Sequence, residues 1–536
     1  MIHADLGADE CFLLEDGQMI ISKPRDADSL GRISSRMAHR PELVRIANGT
    51  ALVFTATFFG LGLNYAYNIF LARYLGAGSF GLYALGLATF NLLAVISLAG
   101  LDSATLKFVP ASVATEDERG IRRTVRTLLG LSLAFGCLVG AVLLLGSHTI
   151  AIEIFRKPEI ARVLWILALG IPAYAASSVL ICTLQAFQEV RWRTFVKYIS
   201  EPVVKVILTL VLLWAGWDLD AALVAFVAAL VLSVVLALAP LRRMLSLRPV
   251  GVPSSVSIGE VLTYSMPLLW AVLVSSVAVK ADVLLLGYWR SAGDVGVYSA
   301  AFQTSAIIVL VLQSFESIAN PLLSESIARR DRSQLEKLYK ILLRWVLTLS
   351  FPIFLVIALL PKELLALFGE KFEGGALCLV ILAIGQIVNA GTGSANNILL
   401  LAGHTRLVMW NTLLAGILQI ALNLILIPRY GIVGAAVAAA ASLVLVNIVR
   451  IVEGFRLLGI QPYEWNVWKP VAAGIGTSVV VVLLKEGLPV RNLFLLVCVV
   501  AASYFALLFA LGLGEEDIVV LRGVRQRIQR MVGVAQ

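Results

Sequence analysis

Two charged residues stand two positions apart inside an apolar run. Lys280 and Asp282 lie in the stretch from Thr263 to Gln303, TYSMPLLWAVLVSSVAVKADVLLLGYWRSAGDVGVYSAAFQ. An ionisable group inside a membrane-length helix is costly enough to be a functional candidate by default. Two residues of helix turn through about 200°, so Lys280 and Asp282 cannot pair with each other. Lys280 shares its face with Ser276 and could offer positive charge to an anion, while Asp282 is protonated or ion-paired with a neighbouring helix. The structural alternative is an inter-helix salt bridge for either of them. Lys205 presents a similar choice. Glu201 precedes it by four residues, a spacing that permits a local ion pair. Lys205 could otherwise snorkel to the membrane edge, or face a cavity and offer its charge to an anionic or polar ligand.

Amides complete the set. Gly60, Asn64 and Asn68 form one stripe that ends at Arg73. Gln313, Glu316 and Asn320 form a second, and Gln386, Asn389, Gly393 and Asn396 or Asn397 a third. Amides in membrane helices can simply bridge neighbours, and glycine stripes allow close packing. Three such stripes are more than packing usually needs, and with Tyr65, Tyr67 and Trp270 they suit a cavity for a polar ligand.

The elements that hold these residues follow from composition. Hydrophobic residues make up 59% of the 536-residue chain and charged ones 14%, with a mean hydropathy of +0.90. Long unbroken apolar runs mark a polytopic helical membrane protein rather than a barrel. Hydropathy places about fourteen spans between residues 48 and 513. Lys and Arg divide with 31 on the side of the N-terminus, 10 on the other, and Lys205 and Lys280 within spans. By the positive-inside rule both termini are expected in the cytoplasm, in a multi-pass cell-membrane protein. The net charge of +9 is therefore a topology signal. No clustered basic face on a soluble module points to nucleic acid.

A shift of 214–215 residues relates the first six spans to the next six. Gly81-Leu82-Tyr83-Ala84 aligns with Gly296-Val297-Tyr298-Ser299, and Asp220-Ala221-Ala222 with Gly434-Ala435-Ala436. Gln419 is then the counterpart of Lys205, and Asn423 of Thr209. An even number of spans gives the halves one orientation, the parallel-repeat design of rocking transporters. The expected organisation is an N-terminal tail 1–47, an N-lobe 48–241, a linker 242–258, a C-lobe 259–458, two further spans in 459–514, and a tail 515–536. The five cysteines are scattered without CxxC spacing, so neither a disulfide framework nor a metal site is indicated.

At ARYLGAGSFGLYALGLA, KADVLLLGYWRSAGDVGVYSAAFQ, NPLLSESIARRD and LNLILIPRYGIVGAAVAAAAS the chain resembles the polysaccharide or oligosaccharide-lipid flippases of the multidrug/oligosaccharidyl-lipid/polysaccharide (MOP) exporter superfamily. The resemblance covers about residues 45–515 and rests on the order and spacing of these motifs. It implies two lobes that alternate in access, a usually cationic cavity, and a polyprenyl-diphosphate-linked glycan carried from the inner to the outer leaflet. Cavity candidates on this reading are Lys205, Lys280, Asp282, Asn64, Asn68, Arg73, Glu316, Gln386, Asn389, Gln419 and Asn423. Expected partners are that glycolipid and the membrane lipids, with a proton or sodium ion as candidate coupling ion and other polysaccharide-assembly proteins as candidate associates. No cofactor is expected.

Two other readings compete. A cation-coupled small-molecule exporter of the same superfamily typically stops at twelve spans. A membrane polymerase, ligase or glycosyltransferase usually needs a sizeable outer loop or an acidic site. Asp218-Leu219-Asp220 is a DxD, but in a two-helix turn Asp is simply a turn former and cap. No Walker motif is present.

Overall fold

Leucine, valine and alanine in runs longer than 20 residues leave the backbone no partner in lipid but itself, so the chain folds as helices. The computed structural model describes residues 41–114, 118–246, 257–487 and 492–512, and has no strand among them. The chain divides into two compact units, Met1–Thr55 and Ala56–Gln536. In the first, helix begins at Pro41. The expected N-terminal tail up to residue 40, most of the linker and the C-terminal tail lie outside the described residues.

The helices, in chain order, are α1 (Pro41–Leu98), α2 (Leu101–Ala114), α3 (Glu118–Thr149), α4 (Ile160–Ala168), α5 (Gly170–Ala186), α6 (Val190–Thr194), α7 (Glu201–Trp214) and α8 (Leu219–Ser246). The second half continues with α9 (Ile258–Trp289), α10 (Ala292–Ser305), α11 (Ile307–Ala328), α12 (Arg332–Leu359), α13 (Pro361–Ala366), α14 (Ala376–Thr392), α15 (Ala395–Leu401) and α16 (Thr405–Leu458). The last two are α17 (Trp468–Gly487) and α18 (Leu493–Ala510).

Among the described residues, ten helical stretches are long and apolar enough to cross a membrane, or eleven if the bent pair α4–α5 counts as one span. That is fewer than the fourteen expected, and the difference has local causes. The stretches Thr55–Val113 and Thr405–Leu458 are 59 and 54 residues long. At 1.5 Å per residue each is far longer than a ~30 Å hydrocarbon core. Each breaks at a glycine with non-helical backbone, Gly76 (φ 75°) and Gly431 (φ 59°). The fifth expected span is split between a π-helical turn, Phe195–Ser200, and the 14-residue α7.

The sequence repeat reappears as a repeat of packing. In the first half α3 lies against α5 and α5 against α8; in the second, α12 lies against α14 and α14 against α16. Gly60 admits the Tyr198 carbonyl, where an added Cβ would lie 2.5 Å from the oxygen, and Gly416 meets Ala278 in the corresponding place. The extra pair α17–α18 packs on α12, with Gly474 against Phe351 and Tyr504 stacked on that ring at 6.5 Å.

The halves meet at both ends of a strip formed by α1–α2 and α9. At one end a Cβ on Gly81 would sit 1.7 Å from the Ala292 carbonyl oxygen, and one on Gly296 would sit 2.3 Å from that of Ala77. These contacts are reciprocal, because 81 and 296, like 77 and 292, are repeat counterparts. A local two-fold axis therefore passes between the two glycines. Lys157 donates to the Gly287 carbonyl and Arg156 lies over the Tyr288 ring at this end. Burial holds the Lys157 ammonium below the usual lysine range, against the opposite pull of Glu159 and Asp294. At the other end Gly100 abuts the Ser265 carbonyl, and Lys107 stands 3.8 Å from the Tyr264 ring centre.

Arg290 fixes the break in α16. Its guanidinium donates to the carbonyls of Ile427 (3.1 Å) and Pro428 (2.8 Å), which precede the kink at Gly431. Hydrogen bonds to a charged group contribute about 1.5–3 kcal/mol. Arg290→Met is therefore expected to lower the thermal midpoint in detergent by several degrees. An unchanged midpoint would show that the kink holds without it.

Candidate functional site

A cavity of about 460 Å³ lies between the halves, walled by α1, the π-turn at Phe195–Ser200, α7, α8, α9 and α10. Five of the expected residues line it: Asn64, Asn68, Lys205, Lys280 and Asp282.

Lys205 is positioned by a partner 141 residues away. Its ammonium donates to Asn64 Oδ1 at 2.6 Å and lies 4.5 Å from the Tyr67 ring centre. Asn64 is held in turn, since its carbonyl accepts from Asn68 Nδ2 at 2.8 Å. The local ion pair that the sequence permits forms elsewhere: Glu201 takes Lys197 at 3.0 Å. Glu201 has a lysine one helical turn to either side and takes Lys197, while Lys205 crosses to α1. Lys205 therefore forms no salt bridge with Glu201 among the described residues.

Lys280 and Asp282 part company, as their 200° separation requires. Asp282 is 1% exposed; its carboxylate accepts from the Tyr298 hydroxyl and, at 2.8 Å, from the Val283 N–H. No salt bridge forms on either residue among the described residues, so the inter-helix ion pair is replaced by a carboxylate–phenol bond. Lys280 is half-buried at the cavity edge. The repeat gives this arrangement a counterpart. Tyr67, Tyr83 and Thr209 correspond to Asp282, Tyr298 and Asn423, and the Tyr67 hydroxyl bonds both Thr209 (3.1 Å) and Tyr83. One buried polar junction per half thus ties spans together beside the cavity.

Six expected residues lie away from the cavity. Arg73 is exposed near the Gly76 break. Glu316 turns to Ser394 and Asn397, at the break between α14 and α15. Asn389 accepts from Asn447 at 2.9 Å, which in turn takes Arg450 at 3.2 Å, so that stripe bridges α14 to α16. Gln386 and Gln419 are half-buried outside the lining. Asn423 is wholly buried, and its amide has no hydrogen-bond partner among the described residues. A stripe fixes that residues share a face, not which face meets the cavity.

Other lining residues escaped the sequence reading: Lys197, Tyr83, Asn91 and Gln303. Lys197 had a signal, since Lys197, Glu201 and Lys205 recur at four-residue intervals. The cavity then holds three lysines against two carboxylates. With Lys197 committed to Glu201 and Asp282 to Tyr298, Lys205 and Lys280 form no salt bridge among the described residues. At an effective dielectric near 20, one charge attracts an opposite one 4 Å away by about 4 kcal/mol. Such a cavity favours anions that also offer hydrogen-bonding groups to Asn64, Asn68, Asn91 and Gln303.

Known proteins resemble this chain in sequence and in fold. The chain is 30% identical over 162 residues to a probable low-salt glycan biosynthesis flippase, Agl15, of Haloferax volcanii, and 27% identical over 177 residues to a probable flippase, AglR, of the same organism. These alignments cover 30% and 32% of this chain and span about a third of the relatives' lengths, 34% and 36%. In fold the chain is similar to the lipid II flippase MurJ in an inward closed conformation, with a TM-score of 0.68 at 14% identity over 85% of this chain and 98% of that one. An inward-facing multidrug resistance MATE family transporter of the MOP superfamily gives 0.63 at 15% identity, over 74% of this chain and 94% of that one. The MatE family profile matches residues 267–425. The polysaccharide biosynthesis protein profile matches residues 46–327, more than half the chain, and the chain belongs to that family.

Proposed function

We propose that this protein is a flippase that carries a polyprenyl-diphosphate-linked oligosaccharide from the inner to the outer leaflet by alternating access, for cell-surface polysaccharide assembly. The observation that carries the reading is the cavity between the repeated halves, where Lys205 and Lys280 form no salt bridge among the described residues and amides surround them. A diphosphate matches the ammonium groups, and sugar hydroxyls match the amides. The relatives named as flippases support the same substrate class. The protein acts here as a transporter, not an enzyme. With both termini cytoplasmic, the Gly81–Gly296 contact lies on the outer side and the Gly100–Ser265 contact on the inner.

The test is an analysis of lipid-linked intermediates in cells lacking the protein, with the leaflet probed by an impermeant sugar-modifying reagent. Complete glycan units should accumulate on the inner leaflet, and Lys280→Ala should reproduce the accumulation with normal protein levels. Units that reach the outer leaflet unpolymerised would overturn the reading in favour of a membrane enzyme. Unchanged pools would overturn it in favour of small-molecule export.

A further inference from the structure

Lys197, Glu201 and Lys205 stand at four-residue intervals in the wall of the cavity. Glu201 therefore has one lysine a turn before it and another a turn after it. On an isolated helix the second pairing is the better one, because glutamate N-terminal to lysine at this spacing agrees with the helix dipole. The protein makes the other. Both oxygens of Glu201 accept from Lys197, at 3.0 and 3.4 Å, and Lys205 turns instead to the neutral amide oxygen of Asn64 at 2.6 Å. The backbone supplies the means. Lys197 belongs to the π-turn Phe195–Ser200, and Glu201 is the first residue of α7. A π-turn, with its i→i+5 hydrogen bonds, is wider than an α-turn. It sets the angle between Lys197 and Glu201 apart from the regular helical angle between Glu201 and Lys205.

The second half folds without such a series. Under the 214-residue shift Lys197, Glu201 and Lys205 correspond to Asn411, Ala415 and Gln419, and α16 runs through those positions without a break. The charges are thus added to one half only, on the wall of the cavity. A carboxylate on Lys205 would cancel the cation, whereas an amide oxygen holds the ammonium in place and leaves its charge. We infer that Lys197 is a positioning residue: it keeps Glu201 off Lys205, so that Lys205 retains its positive charge for the anionic part of the substrate. The inference rests on the proposed binding of a diphosphate-linked substrate and adds what keeps its site cationic.

The test is titration calorimetry of the purified full chain in detergent with farnesyl diphosphate, with farnesol as the uncharged control and the thermal midpoint of each variant read alongside. Lys197→Met is expected to weaken binding about ten-fold, the loss of one charge-assisted contact, because Glu201 then turns to Lys205. In Lys197→Met/Glu201→Gln the competing carboxylate is gone, and most of that loss should be recovered. Lys197→Met/Lys205→Met should bind no more weakly than Lys197→Met alone, since both changes act through one ammonium. No recovery in the first double variant, or a further ten-fold loss in the second, would overturn the positioning role in favour of a direct contact by Lys197 and leave the transport reading standing. Recovery that only follows the thermal midpoint would overturn it in favour of a structural ion pair. Equal binding of farnesol and farnesyl diphosphate by the wild type would overturn the diphosphate reading together with the inference.

Discussion

Lys205→Met is expected to reduce glycolipid export ten-fold or more while leaving the protein inserted and monodisperse in detergent. Methionine keeps most of the side-chain volume against Tyr67 and removes only the charge and the bond to Asn64 Oδ1. A charge-assisted contact to a phosphate or sugar oxygen contributes roughly 1.5–3 kcal/mol, and each 1.4 kcal/mol is a factor of ten. Lys205→Arg should restore part of the activity, since the charge returns but its fork cannot reproduce a point contact with one amide oxygen. Asn64→Leu provides a second arm. It leaves the ammonium half-enclosed without its acceptor, so export should fall even though the charge remains. Export at the wild-type rate from Lys205→Met would remove Lys205 from the binding site and leave it a helix-bridging residue.

How much of this was legible in the sequence depends on the range of the interaction. The helical class and the repeat were legible, because hydropathy and the glycine-tyrosine correspondence between Gly81, Tyr83, Gly296 and Tyr298 are local signals. Those residues also lie where the halves touch and where the Asp282 carboxylate is held. The separation of Lys280 from Asp282 followed from helix geometry alone. The partner of Lys205 did not, because Asn64 is 141 positions away and nothing in α7 distinguishes it from Glu201. Of the amide stripes, Gly60, Asn64 and Asn68 do line the cavity, while the other two did not lead to it for a related reason. Glu316 and Asn389 each lie on a sound helical stripe, but their partners are Ser394, Asn397 and Asn447 on adjoining segments, not the cavity. Asn423 shows the limit of the repeat itself. It inherits the position of Thr209 without a counterpart to the Tyr67 hydroxyl, because Asp282 stands there and bonds Tyr298.

The Gly81 contact supplies the other large expected effect. Gly81→Val should trap the halves apart at that end, cut export at least ten-fold, and expose the cavity to reagent from that side. A Cβ there would overlap the Ala292 carbonyl at 1.7 Å, and both partners are backbone, so neither can swing aside. Overpacking of this kind costs about 1–3 kcal/mol, which shifts a two-state equilibrium by up to about a hundred-fold. Because the contact is reciprocal, Gly296→Val should act in the same direction through the Ala77 carbonyl. Gly78 is the internal control: three residues away, it has nothing within 4 Å of an added Cβ, so Gly78→Ala should behave as wild type. The readout is labelling of a single cysteine at Gln303 by an impermeant maleimide, in a chain whose native cysteines are replaced. Gln303 lines the cavity, so it becomes reactive only when that end opens. Equal labelling and equal export in Gly81→Val and Gly78→Ala would mean that the Gly81 turn does not close the cavity. Increased labelling with export lost places the closing step of the cycle at the glycine pair on the two-fold axis, where one added methyl group in either half is felt by both.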